Sequence, residues 1–147
     1  ESPLLHGEIS AIEAYYAAAA QDASRRWPPG DSLFLATHEP CTMCASAIAW
    51  GGYPEVWFLF SHEDSRDSFV IGHDLKILEA LYGRGPGEWR RENAYFSARS
   101  LPAAVEATAE PERRALHTRI DALRATYAAL SAAYQAKKGG SPNILRP

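Results

Sequence analysis

The spacing of hydrophobic residues along the chain alternates between a helical and an extended period. Apolar side chains recur three or four positions apart over residues 6–25, which predicts an amphipathic helix. Two short apolar runs at residues 32–37 and 56–60 predict buried strands. The small-residue segment 41–50, which ends at Gly51 and Gly52, predicts a second helix, and residues 74–82 predict a third, which ends at Gly83.

The last third of the chain carries a longer apolar repeat, with steps of four and three residues between positions 116 and 134. It predicts a long carboxy-terminal helix over residues 110–138 that begins at Pro111 and is closed by Gly139 and Gly140. This helix either packs on its own sheet or contributes to a dimer contact or to a neighbour's site. The alternation of elements predicts an α/β fold, with three layers (α/β/α) around a mixed, largely parallel sheet.

Both cysteines of the chain lie in one Pro-Cys-Thr-Met-Cys motif at residues 40–44. Cys41 and Cys44, three residues apart, share one helix face, and a helix start at that point favours thiolates. A His-Gly-Glu motif near the start adds His6 and Glu8. Catalytic zinc takes three protein ligands and keeps one position open for water. We therefore predict that His6, Cys41 and Cys44 bind Zn²⁺, and that Glu8 is the general base rather than a ligand.

Two other interpretations of the cysteine pair stay open, because Cys-x-x-Cys also occurs in redox pairs and in structural zinc sites. A redox pair leaves His6 and Glu8 without a role. A structural Cys₂His₂ site would need one of the remaining histidines, which are His38, His62, His73 and His117.

The order His-x-Glu followed by Pro-Cys-x-x-Cys resembles the zinc deaminase signature. Over residues 1 to about 82 the chain is similar to the cytidine deaminase-like superfamily, which includes cytidine, cytosine, guanine and tRNA adenosine deaminases. Met43 and the small-residue helix after it resemble the guanine and tRNA adenosine branch. The resemblance implies a cytidine deaminase-like fold and a zinc-dependent hydrolase that releases ammonia from a free purine or pyrimidine base or nucleoside.

A length of 147 residues predicts one domain, so we expect residues 1–147 to form a single deaminase domain. In the family that the chain resembles, a helix and a two-stranded hairpin precede the His-x-Glu helix. Only five residues precede His6 here, and we expect this amino-terminal segment to be absent from the chain.

Candidate substrate contacts follow the second predicted strand, in a loop at residues 61–67 that we expect to open toward the zinc. Its acidic side chains can accept N–H groups of a base, and these are Glu63, Asp64 and Asp67. Phe96 is a candidate for stacking on the base, and Glu39 is expected to orient the pocket. The alternative is that these charged residues are simply solvated.

The net charge of the chain narrows the choice of substrate. A net charge of −3 and an isoelectric point near 6.0 disfavour a polyanionic substrate. We therefore expect a small nucleobase or nucleoside as the substrate. We also expect a homodimer, and neither a membrane segment nor a signal peptide. Two thiols kept for metal suit a reducing cytoplasm. An editing deaminase of tRNA or single-stranded DNA, or a catalytically silent binding module with a zinc fold, are the alternatives; Glu8 argues against the last.

Overall fold

The structure is a computed structural model, which describes residues 2–85 and 88–138. Its main elements, in chain order, are α1 (Gly7–Gln21), β1 (Leu33–His38), α2 (Thr42–Gly51), β2 (Glu55–Phe60), α3 (His73–Tyr82), β3 (Ser97–Ser100), α4 (Leu101–Glu106) and α5 (Glu112–Lys138). Short 3₁₀ turns at Ala23–Arg25 and Pro29–Asp31 separate α1 from β1. A π-helical turn at Asp64–Ser68 follows β2.

The three strands form one parallel sheet in the order β1-β2-β3. Val56 of β2 pairs with Phe34 on one side and with Ala98 on the other. The predicted α/β fold is confirmed. Within the described residues, the antiparallel contribution is one isolated bridge between Glu92 and Ser97. Because the strands are parallel, their carboxyl ends lie at the same edge of the sheet, where ligands bind in such folds.

The helices that the sequence predicts are present, and their ends have local causes. Helix α2 begins after Cys41 and ends at Gly52, whose φ of 78° is the left-handed conformation that glycine adopts without strain. Helix α1 ends at Gln21 rather than near residue 25. The reason is that the Asp22 side chain accepts a hydrogen bond from the Ser24 N–H and starts a separate 3₁₀ turn.

The core lies in two clusters. The first joins buried side chains of all three strands to α2, with Ile12 of α1 packed against it: Phe34, Ile48, Tyr53, Val56, Phe58, Phe96 and Ala98. In the second, Leu59, Phe60 and Phe69 pack against Ile120 and Tyr127 of α5. Helix α5 therefore packs on its own sheet, which is the first of the two roles considered for it.

Three features differ from the sequence prediction or lie beyond it. Strand β3 was not predicted, because its Ser-Ala-Arg-Ser sequence buries only Ala98. The predicted loop at residues 61–67 is largely helical, and Phe69 donates its N–H to the Asp64 carbonyl at the end of the π-helical turn. The predicted closing residues of the last helix, Gly139 and Gly140, lie outside the described residues.

None of the helices in the described ranges has the length and apolar character needed to cross a membrane.

Candidate metal centre

Two helix starts bring the predicted metal ligands together. His6 is the N-cap of α1, Cys41 is the N-cap of α2, and Cys44 lies in the first turn of α2. The Nδ1 atom of His6 lies 3.6 Å from the Sγ atom of each cysteine. The three donor atoms all lie within 4.8 Å of one another. Cys44 is fully buried, whereas His6 and Cys41 are half-buried, so the cluster is open on one side.

This donor set fits zinc. A tetrahedral Zn²⁺ with Zn–S bonds of about 2.3 Å and a Zn–N bond of about 2.1 Å would have a sulfur-to-nitrogen edge of about 3.6 Å, which matches both observed distances. In the described part of the chain, no further histidine, cysteine or carboxylate joins these three donors. The Cys₂His₂ alternative therefore finds no support there, and three protein donors leave one tetrahedral position for another ligand.

The cluster distributes its protons unevenly. A hydrogen bond from the Cys44 thiol, together with His6, lowers the pKa of Cys41 to about 4 although burial opposes the shift. The hydrogen bond to Cys41 raises the pKa of His6 to about 9, and the same sharing with Cys41 raises the pKa of Cys44. Zinc needs neutral imidazole and thiolates, so its binding must release protons from His6 and Cys44.

Glu8 lies beside the donors without joining them. Its Oε2 atom is 3.5 Å from the Sγ atom of Cys44, and its side chain is half-buried. Residues two apart in a regular helix point in different directions, but His6 and Glu8 converge because α1 begins at Gly7, between them. The amino-terminal end of a helix also favours a carboxylate in its first turn.

The donors open into a cavity of about 220 Å³. Helix α1 contributes Glu8, helix α3 contributes Asp74, and the segments that follow β1 and β2 contribute Glu39 and His62. The carboxyl ends of two neighbouring strands thus lead into the cavity, as expected for a parallel sheet.

Glu39 lines this cavity, but its carboxylate is fully paired with the protein. It accepts hydrogen bonds from Nε and Nη2 of Arg91 at 2.6 and 2.8 Å, from Nε1 of Trp89 at 2.8 Å, and from the backbone N–H of His62 at 3.0 Å. Burial acts to raise the pKa of Glu39, yet these hydrogen bonds hold it below its usual value. The network fixes the segment after β2 against the segment after β1.

The other predicted substrate contacts do not line the cavity. Asp64 accepts a hydrogen bond from Arg124 of α5 at 2.6 Å, and exposed Asp67 pairs with Arg66. Glu63 is half-buried. Phe96 is buried beside Trp89, and it lines a separate cavity of about 590 Å³ along α2. The predicted substrate roles of these residues therefore stay predictions: Glu63, Asp64, Asp67 and Phe96.

The sequence prediction did not assign Asp74 or His62 to the site, although both line the cavity. The sequence pattern identifies Asp74 only as the start of the third predicted helix, and His62 only as one of several remaining histidines. The available signal was position, because both follow a buried strand whose carboxyl end must lie beside that of the strand leading to Cys41. Both residues line the same cavity as the zinc donors.

A family model described as the cytidine and deoxycytidylate deaminase zinc-binding region matches residues 1–60. No curated protein and no solved structure matches the chain significantly. The matched residues contain both helix starts and all three predicted metal donors. The match over residues 1–60 and the His6, Cys41 and Cys44 cluster together support the resemblance to the cytidine deaminase-like zinc-binding superfamily.

Proposed function

We propose that this protein is a zinc-dependent hydrolytic deaminase that acts on a free nucleobase or nucleoside and releases ammonia. One observation carries the proposal: a carboxylate that is not a ligand, Glu8, lies at the rim of a three-donor cluster that has no fourth protein donor among the described residues. Zinc held by His6, Cys41 and Cys44 supplies Lewis-acid chemistry that lowers the pKa of water. The match to residues 1–60 supports deaminase chemistry in general.

Glu8 moves the protons in the proposed reaction. Water adds to the ring carbon that carries the exocyclic amine, the C–N bond breaks, and a carbonyl oxygen replaces the departing ammonia. Glu8 Oε2 accepts the proton of the attacking water and returns protons to the ring nitrogen and to the leaving amine. The position of Glu8 in the first turn of α1 keeps this carboxylate beside Cys44 throughout.

The exchange Glu8→Gln tests the proposal. Zinc content should stay at the wild-type level, because the metal donors are unchanged, while ammonia release should fall by roughly 10²–10⁴-fold. Ammonia is measured with a panel of aminopurines, aminopyrimidines and their nucleosides, and zinc by elemental analysis. Glu13→Gln, on the exposed face of the same helix, is the matched control. Wild-type activity in the Glu8 variant, or zinc-loaded wild-type protein that is inert toward the whole panel, would contradict the proposal.

We also propose a homodimer that is formed through the outer face of α2. Trp50 is 90 % exposed and Tyr95 is 72 % exposed, and both line the apolar cavity along α2 together with Ala45 and Ala49. Large exposed aromatic groups of this kind are typical of protein contacts. Sedimentation should give twice the chain mass for the wild type and a monomer for Trp50→Asp; a wild-type monomer would refute the dimer.

A cytoplasmic location is the remaining part of the proposal. Cys41 and Cys44 are both free thiols, and thiols that bind zinc must stay reduced. Cell fractionation should find the protein in the cytoplasmic fraction, and a secreted or membrane-bound pool would argue against it.

A further inference from the structure

We propose that Asp74 and His62 form the substrate-recognition pair of the zinc cavity, and that they select an unphosphorylated aminated ring that presents N–H donors. This inference rests on the proposed deaminase function and names the chemical class of its substrate. It draws on two acceptor groups that lack partners and on the charges that line the cavity.

Asp74 is the first acceptor. It lies in the first turn of α3, lines the cavity together with the metal donors and is half-buried. Its carboxylate makes no hydrogen bond or ion pair with any residue in the described ranges. A partly buried carboxylate without a partner is costly unless a ligand supplies N–H donors. By contrast, the carboxylate of Glu39 in the same cavity accepts four hydrogen bonds from the protein.

The Nδ1 atom of His62 is the second acceptor. The side chain of His62 is held in one orientation, because Nε2 lies 3.2 Å from the Pro40 carbonyl and the ring lies 5.9 Å from that of Trp89, tilted by 30°. Since a carbonyl can only accept, Nε2 carries the proton, and Nδ1 presents a lone pair. His62 is 5 % exposed, and Nδ1 is buried without a partner among the described residues.

Buried ring nitrogens are rarely left unpaired in folded proteins, which makes the environment of each such atom informative. Nε2 of His38 is also buried and unpaired, and His38 also lines the cavity, but the His38 ring packs among Phe60, Phe69 and Tyr127 of the aromatic cluster under α5. The His62 ring has one aromatic neighbour, Trp89, among the described residues, and it lines the cavity. A substrate N–H is therefore the partner that the fold leaves open for His62.

The charges of the cavity exclude a phosphate. Its acidic groups Glu8 and Asp74 have no cationic partner among the described residues, and no lysine or arginine is among the described residues that line the cavity. Arg91, which reaches Glu39 behind this lining, is already bound to that carboxylate. Phosphate recognition normally uses arginine, lysine or free backbone N–H groups, and the first turns of α1 and α3 at this cavity carry the acidic side chains Glu8 and Asp74, which repel a phosphate.

Size supports the same choice. The cavity of about 220 Å³ is smaller than the roughly 300–1,000 Å³ typical of sites for drug-sized ligands. A ring with an exocyclic amine and a neighbouring ring N–H offers two donors for the two open acceptors. A free aminated base meets both conditions, whereas a nucleoside monophosphate meets neither the size nor the charge.

Binding and turnover together test this pair. Dissociation constants are measured by calorimetry on the zinc-loaded Glu8→Gln protein with a free aminated base, its ring-N-methylated analogue and its nucleoside 5′-monophosphate; KM and kcat are measured on protein with Glu8 intact. Asp74→Asn should weaken binding of the free base by roughly 10–100-fold, as expected for the loss of a charge-assisted hydrogen bond. His62→Phe, which keeps an aromatic ring beside Trp89, should weaken it by about tenfold.

Three controls separate the possible outcomes. Glu79→Gln, exposed on the same helix as Asp74, should leave binding unchanged. Zinc content verifies that each variant keeps its fold. If His62→Phe loses zinc, the methylated analogue tests the same contact from the ligand side and should bind about tenfold more weakly than the free base.

The results distinguish failure of the inference from failure of the function. Ammonia release by the wild type with unchanged dissociation constants in Asp74→Asn and His62→Phe overturns the recognition pair and keeps the deaminase. Binding of the 5′-monophosphate as tight as that of the free base overturns the phosphate exclusion. Tight, Asp74-dependent binding without ammonia release from any base supports the pair and overturns the deaminase. Absence of both binding and release overturns both.

Discussion

The zinc cavity has two sides that use carboxylates in opposite ways. On one side, which we call the paired side, Glu39 is bound by Trp89 and Arg91. On the other, which we call the open side, Glu8 and Asp74 face the cavity, and neither forms an ion pair with the described residues. Both sides are acidic, so charge alone does not mark a catalytic group. The difference lies in how many hydrogen bonds the protein itself supplies: four to Glu39, one from the Cys44 thiol to Glu8, and none to Asp74 from the described residues.

This difference separates stability from chemistry. A buried carboxylate that accepts several hydrogen bonds holds segments of the chain together, and its removal should cost folding free energy. A carboxylate without partners is kept at a cost, as is typical of functional sites. Substitutions on the paired side should therefore lower stability, and substitutions on the open side should lower binding or turnover.

The largest effect is expected from loss of a metal donor, because catalysis at the cavity requires the zinc ion. Cys44→Ala removes a fully buried donor from the metal cluster, so zinc content should fall from about one ion per chain to near zero, and ammonia release should disappear. Elemental analysis after gel filtration measures the metal. Ser46→Ala, one half-turn further on the exposed side of α2, is the control and should keep its zinc. Full zinc retention in the Cys44 variant would refute the three-donor site.

The next largest effect concerns the paired side. Arg91→Ala leaves the Glu39 carboxylate buried, with its side chain 0 % exposed and its charged partner gone. Because an isolated buried charge is expensive, we expect a loss of about 3 kcal/mol in the free energy of unfolding, measured by urea denaturation of the zinc-loaded protein. Arg90→Ala, exposed and adjacent in sequence, should change it by less than about 0.5 kcal/mol. Equal stabilities for the two variants would show that the paired side is not a structural anchor.

How far the sequence predicts this arrangement depends on whether the residues lie in one short motif or come from distant segments of the chain. The clustering of His6, Cys41 and Cys44 was predictable because they lie at two helix starts within short motifs. Asp74 and His62 were not, because their meaning depends on how segments far apart in sequence meet around the cavity. No local pattern states that a carboxylate will lack a partner.

The same reasoning applies to the fold. Helices and strands with a strong apolar period were predicted, whereas β3 was missed because the polar Ser97–Ser100 segment becomes a strand only through pairing with β2. Its place after β2 made Asp64 a candidate substrate contact, a role that stays a prediction. The helical course of residues 62–68 instead turns its carboxylate toward Arg124 of α5, a contact 60 residues away in sequence.

Asp64 provides an intermediate case, a paired carboxylate outside the cavity. Burial acts to raise its pKa, but the hydrogen bonds from Arg124 and Ser61 hold it below the ordinary value of 3.8. A lowered folded-state pKa means that the stabilisation is present above pH 3.8 and is lost as the pH falls through the folded-state value. We expect Asp64→Asn to cost about 1 kcal/mol near pH 7.

The pH dependence of that cost is the sharper measurement. The difference in unfolding free energy between wild type and Asp64→Asn should shrink toward zero as the pH is lowered below 3.8, and the loss of zinc in acid cancels because it is common to both proteins. Exposed Asp67→Asn is the matched control and should differ little from the wild type at any pH. A difference that stays constant with pH would mean that the Arg124 contact does not depend on the charge of Asp64.

The smallest predicted change in stability is also the one that separates the two sides most clearly. Asp74→Asn removes an unpaired, half-buried carboxylate whose pKa is raised by burial, so its charge opposes folding near pH 7 and its loss should leave the unfolding free energy unchanged or raise it by up to about 1 kcal/mol. The same variant is expected to lose substrate affinity. Urea denaturation of the zinc-loaded variant beside Arg91→Ala makes the comparison directly. A loss as large as that of Arg91→Ala would show that Asp74 holds the fold together, and the distinction between a paired and an open side would fail.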